Sequence, residues 1–360
     1  MPHGTPTQFE PPSCRAAETQ PPSRRAAEPT LVIQTAHLGD VVLTLPLLIR
    51  LAEHEGPVDV VTTPLAASLL TSHPAVRRVI PFDKRRRERG IGGLLRLARE
   101  LRGGGYRRAV LAQGSLRSAA LAALARIPSR VGFAGEPGTL LCSERVRRPP
   151  TGSMAARLLA LAGGGTLPRA PWLALTREDR ENAHAWLSAA GIDGPFVALA
   201  PGARWQTKRW PGFAELAARL EWPMVVIGGA EDRPAAAEIV SAAAGRARSA
   251  AGALDLRGSA ALVDRAALLV TNDSLPLHFA SALARPVVAV FGPTSPAFGF
   301  GPMQAEDRVV EHAALPCRPC SAHGPAICPL GHHRCMREIG AERVLEAVRA
   351  RLAASGPQPA

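Results

Sequence analysis

Residues 31–48 read LVIQTAHLGDVVLTLPLL. The run 31–35 is short, apolar and rich in β-branched side chains, which predicts a buried strand. Gly39 then marks a turn, and 40–52 has the length and composition of a helix, with Pro46 as an irregularity inside it. Asp40 stands at the strand-to-helix junction. One reading makes it an N-cap, its carboxylate accepting the free N–H groups of the first turn. The other makes it a general base at the carboxyl end of a strand, with Gly39 letting a second group come close. No G-x-G-x-x-G is present, so the junction is not a dinucleotide fingerprint.

The same alternation extends outward. Strands are expected at 58–62, 107–112 and 130–133, with a helix from Leu116. The Gly/Pro-rich stretch 163–171 breaks the pattern. Helices at 178–190, 213–220, 274–283 and 341–353 then alternate with strands at 196–200, 224–227, 268–271 and 286–291. This predicts an α/β protein of two doubly wound parallel halves, covering 30–172 and 173–354. Residues 1–29 form a tail carrying an imperfect repeat, PPSCRAAE at 11–18 and PPSRRAAE at 21–28, and 355–360 form a second tail. The repeat is too polar to bury a core and reads as disorder. In open α/β sheets, ligands sit beyond the carboxyl ends of the strands. The loops after Thr35, Ala200, Ile227 and Thr271 are therefore where chemistry is expected.

Composition narrows the function. Of 360 residues, 46% are hydrophobic and 20% charged, which excludes wholesale disorder. No apolar run approaches the ~18 residues of a spanning helix, and the first 29 residues lack the apolar core of a secretory signal. A soluble cytoplasmic protein is the default expectation. The net charge of +13 favours anionic partners without choosing among them. Aromatic residues at 4% are too sparse for stacking platforms, so no nucleic-acid partner is expected.

Two further stretches carry candidate chemistry. In PGARWQTKRWPG (201–212), Lys208 is one of only two lysines in a chain that otherwise uses arginine, the other being Lys84. A retained lysine suggests a compact point charge facing a diphosphate, with Arg204 and Arg209 either assisting or lying on the surface. In VTNDSLPLHFASALARPVVAVFGPTSP (270–296), Asp273 and Ser274 open a helix whose N–H groups can hold an anion. His278 follows one helical turn later. Gly292 and Thr294 would form the neighbouring loop wall.

LGDVVLTLP, PGA-x4-KRWP, NDS-x3-H-x-A-x-A and FGPT occur in this order. Together with LAQGSLRSAALAALARIPSRVGF (111–133) and CRPCSAHGPAICPLGHHRCMREIGAERV (317–344), they make residues 31–350 resemble the ADP-heptose:lipopolysaccharide heptosyltransferases, glycosyltransferase family 9. The last stretch is most like the heptosyltransferase II branch. The resemblance implies a GT-B fold, two Rossmann-like domains facing a central cleft. It implies an inverting, metal-independent glycosyltransferase with no required cofactor, using ADP-heptose as donor and a lipid-linked lipopolysaccharide core as acceptor. Its implied location is peripheral, at the anionic inner face of the inner membrane. By the same resemblance, Asp40 is the base and Lys208 neutralises the diphosphate. Asp273, Ser274 and His278 contact diphosphate and sugar, and Glu231 or Asp232 binds the adenosine ribose. Leu275 and Pro276 follow Asp273–Ser274 where the family pattern has Gly. A family 9 transferase with another nucleotide-heptose or acceptor is the alternative.

Two features stand apart. KRRRERG (84–90) is the densest basic run, and Lys84, Arg85 and Arg117 are acceptor-side candidates. Cys317, Cys320, Cys328 and Cys335, spaced C-x2-C-x7-C-x6-C with His332 and His333 between, are a weak candidate for structural zinc. A zinc-containing nucleic-acid-binding module is the competing reading built on them.

Overall fold

A computed structural model describes residues 29–354 except 85, 87 and 88. The terminal repeat, Cys14, the 355–360 tail and the acceptor candidate Arg85 lie outside the described residues.

The first half alternates β1 (Thr30–Gln34), α1 (Leu38–Glu55), β2 (Val58–Thr62), α2 (Pro64–Ala67), β3 (Val76–Pro81), α3 (Gly90–Arg102), β4 (Arg108–Leu111), α4 (Leu116–Leu124), β5 (Ser129–Phe133), β6 (Glu144–Val146) and α5 (Met154–Leu158). Its strands form one parallel sheet in the order β3-β2-β1-β4-β5-β6. The second half runs α6 (Arg177–Ala189), β7 (Val197–Ala200), α7 (Phe213–Arg219), β8 (Met224–Val226), α8 (Arg233–Ala242), β9 (Ala247–Ser249), α9 (Leu256–Arg265), β10 (Leu268–Asn272), α10 (Leu275–Leu283), β11 (Val287–Phe291), β12 (Arg308–Glu311), α11 (Arg334–Arg337) and α12 (Ala341–Ala354). Its sheet is also parallel, ordered β12-β11-β10-β7-β8-β9.

Strand order reverses between β1 and β4 in the first sheet and between β7 and β10 in the second. Crevices form at such switch points because successive crossovers leave in opposite directions. Asp40 follows β1, Lys208 follows β7 and Asp273 follows β10. All three motif loops therefore occupy switch points.

Over residues 41–48 the α1 sequence has no polar face because this part of the helix has no free face. Val41–Leu48 are all buried, as is Leu51. One side covers the first sheet, and the other meets α10 of the second half. A helix apolar all round is a buried helix. This packing also holds Pro46 in mid-helix, where its missing N–H would otherwise cost about 3 kcal/mol. The helix begins at Leu38, two residues before the expected start, so Asp40 is the third helical residue and His37 the cap. β3, α3, α8 and α9 went unread in the sequence. β3 is an edge strand, VRRVIP, whose two arginines and terminal Pro give no apolar alternation.

Arg257 pins the two halves together. Its Nη1 donates to the Ser68 carbonyl of the first half at 3.1 Å, and its Nη2 to the Ala174 carbonyl at 2.8 Å. The same guanidinium bonds Asp179. Burial pushes the Asp179 carboxyl up, but hydrogen bonds from Arg257 and Thr176 outweigh it and leave the pKa below its usual value.

Candidate active site

Asp40 enters the site from the first turn of α1. Its Oδ2 accepts from the His37 backbone N–H at 3.1 Å, the reciprocal arm of a capping arrangement. The cap reading is corrected: Asp40 is the third helical residue, and its carboxylate accepts the N–H of the cap residue His37 rather than those of the first helical turn. One oxygen is held by the backbone, which fixes the carboxylate's direction at the mouth of the cleft.

Across the cleft, the loop after β7 carries Lys208. Its Nζ lies 2.6 Å from Asp273 Oδ2, and both side chains are nearly buried, at 13% and 7% exposure. Thr294 Oγ1 donates to the same Asp273 oxygen at 2.7 Å. Asn272 ties the two loops together. Its amide donates to the Pro201 carbonyl at 2.8 Å and its oxygen accepts from Trp210 N at 3.1 Å. Lys208, Asp273 and Thr294 form one cluster, held from the loops after β7, β10 and β11. A buried ion pair is neutral overall, and removing either partner strands a charge in low dielectric.

His278 joins the halves. A Cβ placed on Gly39 would lie 2.5 Å from its Cδ2, so glycine is what lets the ring sit against the turn before Asp40. Its Nδ1 is buried and unpartnered. Burial holds the imidazole pKa below its ordinary value, against the pull of Asp273 and Asp40. A neutral ring therefore stands between the candidate base and the Lys208 cluster.

Ser274 caps α10 without a side-chain cap bond, its Oγ lying 3.3 Å from Thr271 Oγ1. Pro276 has no N–H, and the Leu277 N–H turns back to the Ser274 carbonyl at 3.1 Å. The anion-holding capacity of this helix start is therefore smaller than the sequence suggests. More of it falls to Lys208.

The expected ribose pair separates. Glu231 is exposed just past β8. Asp232 turns inward, accepting from Gly229 N at 3.0 Å, with Arg209 Nη2 3.5 Å from its other oxygen. A Cβ on Gly228 would lie 2.7 Å from it. Burial raises the Asp232 pKa. Asp232 braces loops, leaving Glu231 as the carboxylate accessible to a ligand. Gly292 likewise faces inward, since a Cβ there would meet Met336 at 2.7 Å.

On the acceptor side, Lys84 Nζ donates to the Thr35 carbonyl at 2.7 Å, beside the turn that carries Asp40. Arg117 lies over the Phe82 ring, 5.2 Å from its centroid, and donates to the Gly90 carbonyl at 3.2 Å. The sequence reading passed over His37. Arg204 reaches across the cleft to its Nδ1 at 2.5 Å while lying over Trp205. Burial, then Arg204, holds the His37 pKa low.

Among the described residues, no group of three or more His, Cys, Asp or Glu is arranged to hold an ion. Cys335 packs in the apolar core, where burial pushes its thiol up to about 11. Cys320 donates to the Cys317 carbonyl, and Cys317 Sγ lies 4.0 Å from His332 Nε2. The cysteine segment straps the lysine loop. Thr207 Oγ1 donates to the Pro325 carbonyl, and His333 Nε2 lies 2.7 Å from the Thr207 carbonyl. Gly324, at φ +75°, leaves 3.1 Å between a would-be Cβ and Lys208 Cε. Arg318 anchors the strap. It bonds the carbonyls of Gly292, His312 and Thr294 and the Glu311 carboxylate.

Asp40 of the first half and Lys208 of the second both act on the buried His278 ring, so a carboxylate and an ammonium border the same site. Such a pair can take a proton from an incoming hydroxyl and hold negative charge on a leaving group.

The sequence pattern of glycosyltransferase family 9, the heptosyltransferases, matches residues 94–327. Lipopolysaccharide heptosyltransferase 2 of Salmonella typhimurium is 29% identical over 350 residues, spanning 91% of this chain and 99% of that protein. Lipopolysaccharide heptosyltransferase 1 of Pseudomonas aeruginosa is 31% identical over 316 residues, 81% and 85% respectively. The solved structure of E. coli ADP-heptose heptosyltransferase II superposes with a TM-score of 0.73 at 28% identity, covering 91% of this chain and 99% of that one. The two facing Rossmann-like sheets are the GT-B arrangement expected from the sequence.

Proposed function

The chain belongs to glycosyltransferase family 9, and on that premise we propose that it moves L-glycero-D-manno-heptose from ADP-heptose to the lipopolysaccharide inner core, with inversion at the anomeric carbon. The observation that carries the reading is the Gly39–His278 contact, which sets the turn of Asp40 against the helix that carries the donor-side cluster.

In this mechanism the acceptor hydroxyl attacks the anomeric carbon from the face opposite ADP. Asp40 accepts its proton as the new bond forms. The sugar–phosphate bond breaks and its electrons pass to the β-phosphate. Lys208 meets that charge, oriented by Asp273 and Thr294. Ser274 and His278 line the donor sugar, and Glu231 takes the adenosine ribose. Because Lys208 is a fixed cation, the proposal includes no divalent metal and no cofactor. The neutral ring of His278 adds no positive charge to the site that would stabilise the ground state of the Asp40 carboxylate.

Among the described residues, no helix is long and apolar enough to cross a membrane. We place the reaction at the cytoplasmic face of the inner membrane, where the acceptor's lipid is anchored.

The test is transfer from ADP-heptose to a de-acylated, heptose-free core, with and without a metal chelator, and the anomeric configuration of the product read by NMR. Inversion with a chelator-insensitive rate supports the proposal. A retained configuration, or a rate abolished by chelation and restored by metal, overturns it.

A further inference from the structure

We infer that His37 and Arg204 are positioning residues: their hydrogen bond across the cleft sets the loop of Lys208 against the turn of Asp40, and protonation of His37 releases it. Arg204 Nη1 lies 2.5 Å from His37 Nδ1. A guanidinium only donates, so Nδ1 is the acceptor and the ring proton sits on Nε2. Each partner stands close to a residue of the reaction. His37 lies three residues before Asp40, and its backbone N–H bonds that carboxylate at 3.1 Å. Arg204 lies four residues before Lys208 on the loop after β7. Gly39 against His278, and Arg257 on the Ser68 carbonyl, also join the halves, but through the buried His278 and Arg257 side chains. His37 and Arg204 remain open to solvent. Their bond can therefore break and re-form without opening a core.

Charge makes the bond reversible. Among the described residues no carboxylate pairs with Arg204, and its guanidinium lies over the Trp205 ring, 4.8 Å from the centroid. His37 is faced by Arg204 from the loop after β7, Lys84 from the loop after β3, His323 from the strap and Asp40 from α1. Only Asp40 favours a charged ring. Partial burial in the cleft, then Arg204, holds the imidazole neutral to lower pH than usual. A neutral ring accepts from Arg204. An imidazolium has no lone pair to offer and repels the guanidinium, so the bond present at neutral pH is lost as pH falls through the His37 pKa. The inference rests on the proposed function for what the bond aligns, not for the bond itself.

The test reads the bond and the reaction separately. In protein with carbon-13-labelled histidines, the His37 resonance is assigned by its loss in His37→Gln. It is expected to titrate below the ordinary 6.5 in the parent and at higher pH in Arg204→Gln. A titration that Arg204→Gln leaves unmoved overturns the inference. In transfer assays, His37→Ala and Arg204→Ala should each lower kcat roughly three- to tenfold, the scale of one net hydrogen bond. The double variant should fall no further than the slower single one. Additive losses, or losses confined to ADP affinity by calorimetry, overturn it. His37→Gln keeps an acceptor for Arg204 and cannot be protonated. It should restore most of the rate lost in His37→Ala at about pH 7.5 and flatten the parent's fall in kcat between about pH 6.5 and 5.5. A fall that persists unchanged in His37→Gln overturns the inference. If the parent transfers nothing to a core acceptor, the His37 titration still decides the bond, so its failure and that of the proposed function are told apart.

Discussion

Gly39 and His278 come from opposite halves of the chain, yet a methyl group on the one would lie 2.5 Å from the ring of the other. The contact is closer than any Cβ tolerates. The ring is buried and has little room to withdraw. Gly39→Ala should therefore cost about 1–3 kcal/mol, the usual range for overpacking. It should also push the Asp40 turn away from α10 and lower kcat more than stability alone explains. Thermal melts and transfer rates on the same preparation check this. A variant matching the parent in both would show that the halves do not meet in solution as they do here.

Asp40→Asn keeps an oxygen that can accept from His37 N, so the capping bond survives. The fold and ADP affinity should be unchanged. Turnover should fall ~100- to 10,000-fold, the usual contribution of a general base. A near-normal rate with a lowered melting temperature would leave Asp40 as a helix-start residue alone.

Lys208→Ala removes the cation from a nearly buried pair and leaves Asp273 with Thr294. Leaving a buried charge uncompensated costs ~3–5 kcal/mol. ADP binding should weaken, and turnover should fall further, because charge on the β-phosphate grows as the sugar departs. Lys208→Arg should rescue only partly, since Gly324 closes over the Lys208 stem at 3.1 Å and a planar fork needs more width. Calorimetry with ADP and transfer rates separate the two effects. Unchanged values for Lys208→Ala would remove the residue from the site.

The sequence made the switch-point loops readable because each motif follows an apolar strand at its carboxyl end. Asp40, Lys208, Asp273 and Thr294 are found that way, and the need for Gly39 follows from the close approach it permits. Other features depend on what lies opposite in space. The start of α1 lies two residues before the expected one, and a helix buried on every side through 41–48 shows no amphipathic period to locate it. Glu231 and Asp232 look alike in the sequence, and only packing turns Asp232 toward Gly228. Cys317, Cys320, Cys328 and Cys335 have a ligand-like spacing in the sequence, which does not show that Cys335 packs in the apolar core or that Gly324 of the same segment closes over the Lys208 stem.

Stability should fall with pH below neutrality. His73 and His278 both have pKa values held below the ordinary 6.5, chiefly by burial. His73 Nδ1 accepts from Ala75 N at 3.2 Å, so Nε2 carries the proton toward the Trp172 carbonyl at 2.8 Å. The neutral form is the folded form. As pH falls through about 6.5, the unfolded chain takes up protons that the folded chain refuses, so stability present above that pH is lost below it. The loss is up to about 1.4 kcal/mol per pH unit for each such group. Melting temperature should drop from about pH 7.5 to 5.5. His73→Gln, which keeps a donor toward Trp172, should flatten part of the slope. A flat profile in the parent would refute the assignment.

The central claim is heptosyl transfer at a cleft between Asp40 and Lys208. Its most direct measurement is the mass of a heptose-free core acceptor after incubation of wild-type protein with ADP-L-glycero-D-manno-heptose, with released ADP quantified alongside. The account predicts an acceptor heavier by one heptosyl unit and one ADP for each product formed. An unmodified acceptor and no ADP, while another nucleotide sugar is consumed by the same preparation, would contradict it.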